Sequence, residues 1–186
     1  MILYHATYET RAKEILSAGV VKSTGVIRNF DTSSTYPTTE GFVYLTDSFP
    51  LSIFYGARVI PIDSNDQIYI FEVEVSEEEL LVDEDEIGVM SIWPRTRELI
   101  QARSPFLWND SLEILHSVRV KRDLIIGVDV KRYLTLPTDN YVYSLGTHDK
   151  QLQDIEYASS ILMQQRDSST PEQIDRLLRL VDWTVI

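Results

Sequence analysis

The run Gln67-Ile68-Tyr69-Ile70-Phe71-Glu72-Val73-Glu74-Val75 constrains this chain most. Tyr69, Phe71, Val73 and Val75 recur at every second position. Ile68 and Ile70 share the other side with Glu72 and Glu74. A period of two is the mark of an extended strand, here expected to be half-buried. Such a strand needs neighbours and a cover. The cover is visible in helical spacing at Ala12, Ile15 and Leu16, at Leu51 to Tyr55, and at Leu152, Ile155, Ala158 and Leu162. The chain therefore reads as α+β, and its 186 residues suffice for one substantial core.

In chain order, Ile2 to His5 reads as a strand and Thr7 as the cap of a helix over about 8–18, ended by Gly19. Residues 22–41 lack an apolar period and read as a long loop of functional character, with Arg28 and Asn29 its most ligand-like members. Phe42 to Thr46 is a strand. Asp47 or Ser48 caps a helix through Tyr55 that ends by Gly56-Ala57, and Arg58–Ile62 is a short strand. Ser76 and Glu79 have capping-box spacing, followed by an acidic loop to Gly88. A helix follows Pro94, and Ser104–Asp110 is a loop. Leu112–Val118 and Leu124–Val130 read as strands. Helices over 150–165 and from Pro171 complete a mainly helical extension, 134–186, appended to a core of 1–133.

With 29 acidic against 17 basic residues the net charge is −12, which argues against broad non-specific binding of nucleic acid. Without cysteine there can be no disulfide, thiolate metal site or cysteine nucleophile, and a cytoplasmic setting is expected. No apolar run suits a membrane span and no signal peptide is visible, so no membrane partner is expected. His5, His116 and His148 lack metal-ligand spacing, so no metal is expected either.

The ordered set His5-Ala6-Thr7 after a first strand, Tyr44-Leu45-Thr46-Asp47 after another, Tyr55, and Glu113 in a later strand resembles the ADP-ribosyltransferase superfamily. It is similar to the His-Tyr-Glu branch of diphtheria-toxin-like enzymes and poly-ADP-ribose polymerases. The resemblance covers roughly 1–130. It implies a split mixed β-sheet around a cleft that binds NAD as co-substrate. It implies that His5 orients the adenosine-side ribose and that the Ala6 backbone bonds the nicotinamide amide, where the family usually has glycine. Thr7 matches the family threonine. Tyr44 and Tyr55 would hold the nicotinamide ring, and Arg28 would pair with the diphosphate. Glu113 would stabilise positive charge growing on the ribose, with Glu113, His5 and Tyr44 as the catalytic set. Phe106, Trp108, Asn109 and Ser111 would meet the acceptor, and Ser111 departs from the acidic or amide residue common at that offset.

The residue types suit that chemistry. A carboxylate stabilises charge that develops only in the transition state. Aromatic faces hold a flat cation. The implied activity is transfer of ADP-ribose to a protein or nucleic-acid acceptor with nicotinamide release, in the manner of a bacterial or phage toxin or effector. An antitoxin or regulatory protein would then be a partner. Taken singly, His5, Tyr44 and Tyr55 also read as packing residues, and Glu113 as one half of a salt bridge with a nearby arginine. Two alternatives remain: a non-catalytic nucleotide- or protein-binding module on the same fold, and an RNA 2′-phosphotransferase-like enzyme. If Glu113 is tied to an arginine and the cleft is plugged, the module gains.

Overall fold

The computed structural model describes residues 1–25, 38–146 and 149–186. Arg28 and Asn29 therefore lie outside the described residues, as does His148. In chain order the elements are β1 (Ile2–Tyr8), α1 (Glu9–Ala18), β2 (Val20–Val21), β3 (Val43–Leu45), α2 (Phe49–Arg58), β4 (Ile68–Glu74), β5 (Leu81–Val82) and α3 (Glu84–Met90). There follow α4 (Pro94–Gln101), α5 (Trp108–Leu115), β6 (Val118–Val120), β7 (Leu124–Ile125), β8 (Val130–Leu136), α6 (Asp139–Ser144), α7 (Lys150–Gln164), α8 (Pro171–Leu178) and β9 (Thr184–Val185).

The alternating run forms β4 and lies inside the main sheet, whose order is β1-β4-β8-β9, antiparallel throughout. Tyr69, Phe71 and Val73 enter a first core with Leu3 of β1, Ala12 and Ile15 of α1, and Val118 and Val120 of β6. Ile68 and Ile70 enter a second core with Phe49 and Ile53 of α2, Ile155 and Leu162 of α7, and Leu177 of α8. The strand is thus covered on both faces rather than half-buried. Glu72, which the alternation places on the second face, is buried and bidentate to Arg132 at 2.8 and 2.6 Å. Pairing is what makes a carboxylate tolerable there. A three-stranded sheet, β3-β6-β5, joins the main sheet through a bridge between Tyr4 and Thr46. The fold is α+β with several antiparallel sheets.

Several local expectations hold. Gly19 ends α1 in the left-handed region at φ 71°. Ser48 caps α2, accepting from the Leu51 N–H at 3.3 Å, with Pro50 in the first turn. The Ser76–Glu79 capping box is present. Others fail. Thr7 is not a cap: it is buried within β1, opposite Tyr69, and Tyr8 precedes α1. The helix runs on to Arg58, so no strand forms over 58–62. The acidic stretch is not a loop. Asp83 caps α3 by accepting from the Glu86 N–H at 3.0 Å, and Glu84, Asp85 and Glu86 suit the positive end of a helix.

The most consequential correction concerns Leu112–Val118. Residues 108–115 are helical, and the strand begins only at Val118. Trp108, Leu112 and Leu115 recur at i, i+4 and i+7 and turn inward, the latter two buried. Leu112-Glu113-Ile114-Leu115 alone is too short to separate a helical from an extended period. The strand expected over 124–130 is also interrupted: β7 stops at Ile125, Gly127 turns the chain at φ 84°, and β8 starts at Val130. The division at 133/134 falls inside β8, whose Leu134 and Leu136 belong to the second core.

Candidate functional site

The site is built where β1 and β3 part. Tyr4 turns its N–H and C=O away from β4, to Thr46, at 2.8 and 3.0 Å. Residues two apart on a strand share an edge, so Ala6 turns its own N–H and C=O the same way. Continuing the antiparallel register would set Ala6 opposite Tyr44, yet no backbone bond joins them among the described residues. A free donor and acceptor therefore stand side by side on this edge. Gly56 of α2 closes the other side: a Cβ there would lie 3.2 Å from the Ala6 Cβ and 2.5 Å from Ile68 Cγ2. The glycine lets α2 lie against β1 and β4.

His5 crosses the gap. Its Nδ1 donates to the Tyr44 carbonyl oxygen at 3.1 Å, and its ring stacks on Phe71 at 6.5 Å. A carbonyl can only accept, so Nδ1 carries the proton and Nε2 is left as an acceptor. Burial pushes the His5 pKa down, more than the bond to Tyr44 raises it, and keeps the ring neutral.

Tyr44 sits between Val43 and Leu45, both buried in the first core, and projects from the opposite side of β3. Its hydroxyl accepts from the Thr39 N–H at 2.7 Å and bonds Asp85 of α3. Burial, then the bond to Asp85, raises its pKa to about 12. Tyr55 projects from α2, its ring 5.5 Å from Phe54, and its hydroxyl faces the Glu86 carboxyl of α3. Burial and then Glu86 raise its pKa too. Both tyrosines thus face consecutive carboxylates of one short helix.

That helix is anchored from below. The buried Asp83 accepts from Ser117 Oγ at 2.5 Å, and its N–H reaches Ser111 Oγ at 3.3 Å. Ser111 Oγ in turn donates to the Ser117 carbonyl at 2.6 Å. Arg119 of β6, paired with Tyr44 across the strands, reaches Glu84 Oε2 at 2.5 Å and Asp85 Oδ2 at 3.7 Å. Glu86 has no cation at ion-pair distance among the described residues. Burial first, and then Asp83, raise its pKa to about 7, against lowering by Tyr55 and the more distant Arg166.

The structure joins His5 to the Tyr44 carbonyl, leaves Ala6 beside it on β1, and turns Tyr44 and Tyr55 towards the consecutive carboxylates Asp85 and Glu86 of α3. It does not bring Glu113 to them. Glu113 projects from α5, 65% exposed, and both its oxygens accept from Arg103, at 2.8 and 3.0 Å. Arg103 holds its carboxyl below the usual range. The carboxylates that perturb Tyr44 and Tyr55 are Asp83, Asp85 and Glu86. Sequence reasoning missed these, because they sit in a run that resembles a solvated acidic loop. It also missed Arg119, although a charge between Val118 and Val120 is itself a signal.

Among the acceptor candidates, Ser111 is fully buried in the anchor just described and Trp108 packs against the first core. Phe106 is half-exposed and Asn109 exposed. His116 closes α5 and bonds Asp47 at 2.9 Å. Among the described residues no three His, Cys, Asp or Glu side chains are placed to hold a metal, and no helix is long and apolar enough to cross a membrane.

The arrangement offers an imidazole acceptor, a backbone donor–acceptor pair, two phenols and a carboxyl that titrates near neutrality. Together these suit sugar hydroxyls, a carboxamide and a flat cationic ring. No family model matches the chain, and no curated protein matches it in sequence.

Proposed function

We propose that the chain is an NAD-dependent ADP-ribosyltransferase that moves ADP-ribose to a protein or nucleic-acid acceptor and releases nicotinamide. The observation that carries this reading is the Ala6 N–H and C=O, unpaired among the described residues on the edge of β1 that runs on towards Tyr44, while Tyr44 and Tyr55 both turn to α3. A carboxamide needs one donor and one acceptor on one side, and a pyridinium needs aromatic faces. His5, neutral with Nε2 free to accept, takes a ribose hydroxyl without repelling the cation.

The role that the family resemblance gave to Glu113 passes to Glu86. Its carboxylate lies at Tyr55, where the nicotinamide ring would be held. As the bond from ribose C1′ to the ring nitrogen breaks, its electron pair leaves with nicotinamide. Positive charge grows on the sugar, and the Glu86 carboxylate stabilises it there. The acceptor then bonds C1′ and gives up its proton. No metal enters this scheme.

The test is nicotinamide release from NAD by the purified chain. Glu86→Gln should lower kcat by about 100-fold or more, the scale of removing one group that acts in the transition state. Glu113→Gln should stay within about threefold of wild type, since its partner Arg103 lies outside the tyrosine pair. Loss in Glu113→Gln with activity kept in Glu86→Gln would reverse the assignment.

One observation favours a second reading, a non-catalytic module. Glu113 is tied to Arg103, and the Tyr44 and Tyr55 hydroxyls already have protein partners. NAD binding without any nicotinamide release would establish it.

A further inference from the structure

Three carboxylates follow one another at the start of α3: Glu84, Asp85 and Glu86. Only one meets Tyr55. What separates them is Arg119. Its side chain is 7% exposed and its guanidinium lies 4.0 Å from the centre of the Phe42 ring. One terminal nitrogen reaches Glu84 at 2.5 Å, the other lies 3.7 Å from Asp85, and the group also bonds the Tyr44 hydroxyl. The Arg119 Nε is buried with no acceptor among the described residues. An unmatched buried donor is a cost to the fold, so stability alone does not account for arginine at this position.

We propose that Arg119 is a positioning residue that holds Glu84 and Asp85, so that Glu86 alone is presented to Tyr55. The proposal rests on the ADP-ribosyltransferase reading for its consequence in catalysis, but not for its electrostatics. Asp85 is fixed twice more, by Tyr44 and by the Thr39 N–H at 2.8 Å. Glu86 then faces Tyr55 of α2, Asp83 at the helix start and Arg166 just beyond α7. Without the guanidinium, Asp85 loses its cation and its charge bears on Glu86. The unbalanced pair makes the second ionisation harder.

The experiment is carbon NMR of the full chain labelled at glutamate carboxyls, with the Glu86 signal assigned by its loss in Glu86→Gln. Nicotinamide release is followed in parallel. Arg119→Gln should raise the Glu86 midpoint by about one pH unit. It should lower kcat at pH 7 by roughly fivefold while KM for NAD changes less than about twofold, with recovery at higher pH. Arg119→Lys, which keeps the charge, should restore most of the midpoint. Asp85→Asn makes the opposite change by freeing the cation, and should lower the midpoint. A Glu86 midpoint unmoved in Arg119→Gln, with only the melting temperature reduced, assigns Arg119 a purely structural role and overturns the proposal. An unmoved midpoint in Asp85→Asn overturns it equally, even should Arg119→Gln not fold. A midpoint that moves as expected in a chain that never releases nicotinamide overturns the enzymatic reading instead and leaves the sorting of charges intact.

Discussion

Glu86 shows how one side chain can serve a site at the expense of the fold. Its carboxyl is raised to about 7, chiefly by burial and then by Asp83. In an unfolded chain it would ionise near the ordinary glutamate value of about 4.3. Between these two values the folded state binds more protons, so its stability falls as pH rises through the window. Below about pH 4 this group contributes no difference. Glu86→Gln should therefore raise the melting temperature at pH 8, where the native charge is buried. The gain should be about 3 kcal/mol and should largely vanish at pH 4. Thermal melts of both proteins across that range check it, and a gain equal at both pH values would refute the buried charge. At this scale the sequence was informative about the elements that carry His5, Ala6, Tyr44 and Tyr55. Each lies within a few residues of a strand end or helix cap that local patterns reveal. It was silent about Glu86, because three adjacent acids look alike until a distant arginine distinguishes them.

At the scale of elements, α2 carries the tightest requirement. It lies on β1 and β4 through Gly56, where a methyl group would meet Ile68 Cγ2 at 2.5 Å and Ala6 Cβ at 3.2 Å. The residue is in a helix, so alanine would gain helix propensity of about 1 kcal/mol if space allowed. Space does not allow it. Overpacking of this kind costs about 1–3 kcal/mol, and α2 would have to lift. Gly56→Ala should thus be destabilised in denaturant melts and, on the proposed function, should also weaken NAD binding, because α2 carries Tyr55 away from β1. A more stable Gly56→Ala protein would show that α2 is not pressed on the sheet. The elements that were misread, α3 and α5, failed for one reason. Both are short: α3 is capped by Asp83, whose partner Ser117 is 34 residues away, and α5 is held from its middle by Ser111, which donates to the Ser117 carbonyl 6 residues on. In α5 the four residues from Leu112 fit either period, and only Trp108, assigned to the preceding loop, makes the helical face visible.

At the scale of the whole molecule, the main sheet has two cores, and the second cannot be closed by residues 1–133. Phe49, Ile53, Ile68 and Ile70 from that part meet Leu134 and Leu136 of β8, Ile155, Ala158 and Leu162 of α7, and Leu177 of α8. The change in character after Leu134, plain in the sequence, marks a change in composition but not a break in packing. Periodicity shows which residues of α7 and α8 are apolar; it cannot show which face of which strand they will cover. A chain cut after Tyr133 would end within β8 and remove β9, which pairs with Arg132 and Tyr133. It would expose the apolar face of β4 and the inner side of α2, the helix that carries Tyr55. Each buried Leu or Ile side chain so exposed forfeits about 1.5–3 kcal/mol, and several are lost at once, against a total stability of about 5–15 kcal/mol for a domain. Residues 1–133 alone should show no cooperative thermal transition and should bind hydrophobic dyes. Leu162→Ala and Leu177→Ala in the full chain, both at fully buried positions, should each cost about 2–5 kcal/mol in denaturant unfolding. A sharp melt of 1–133 would mean that this part of the chain stands without its extension. Its absence, together with matching losses in the two leucine variants, would make the extension the floor on which α2 and the tyrosine pair rest.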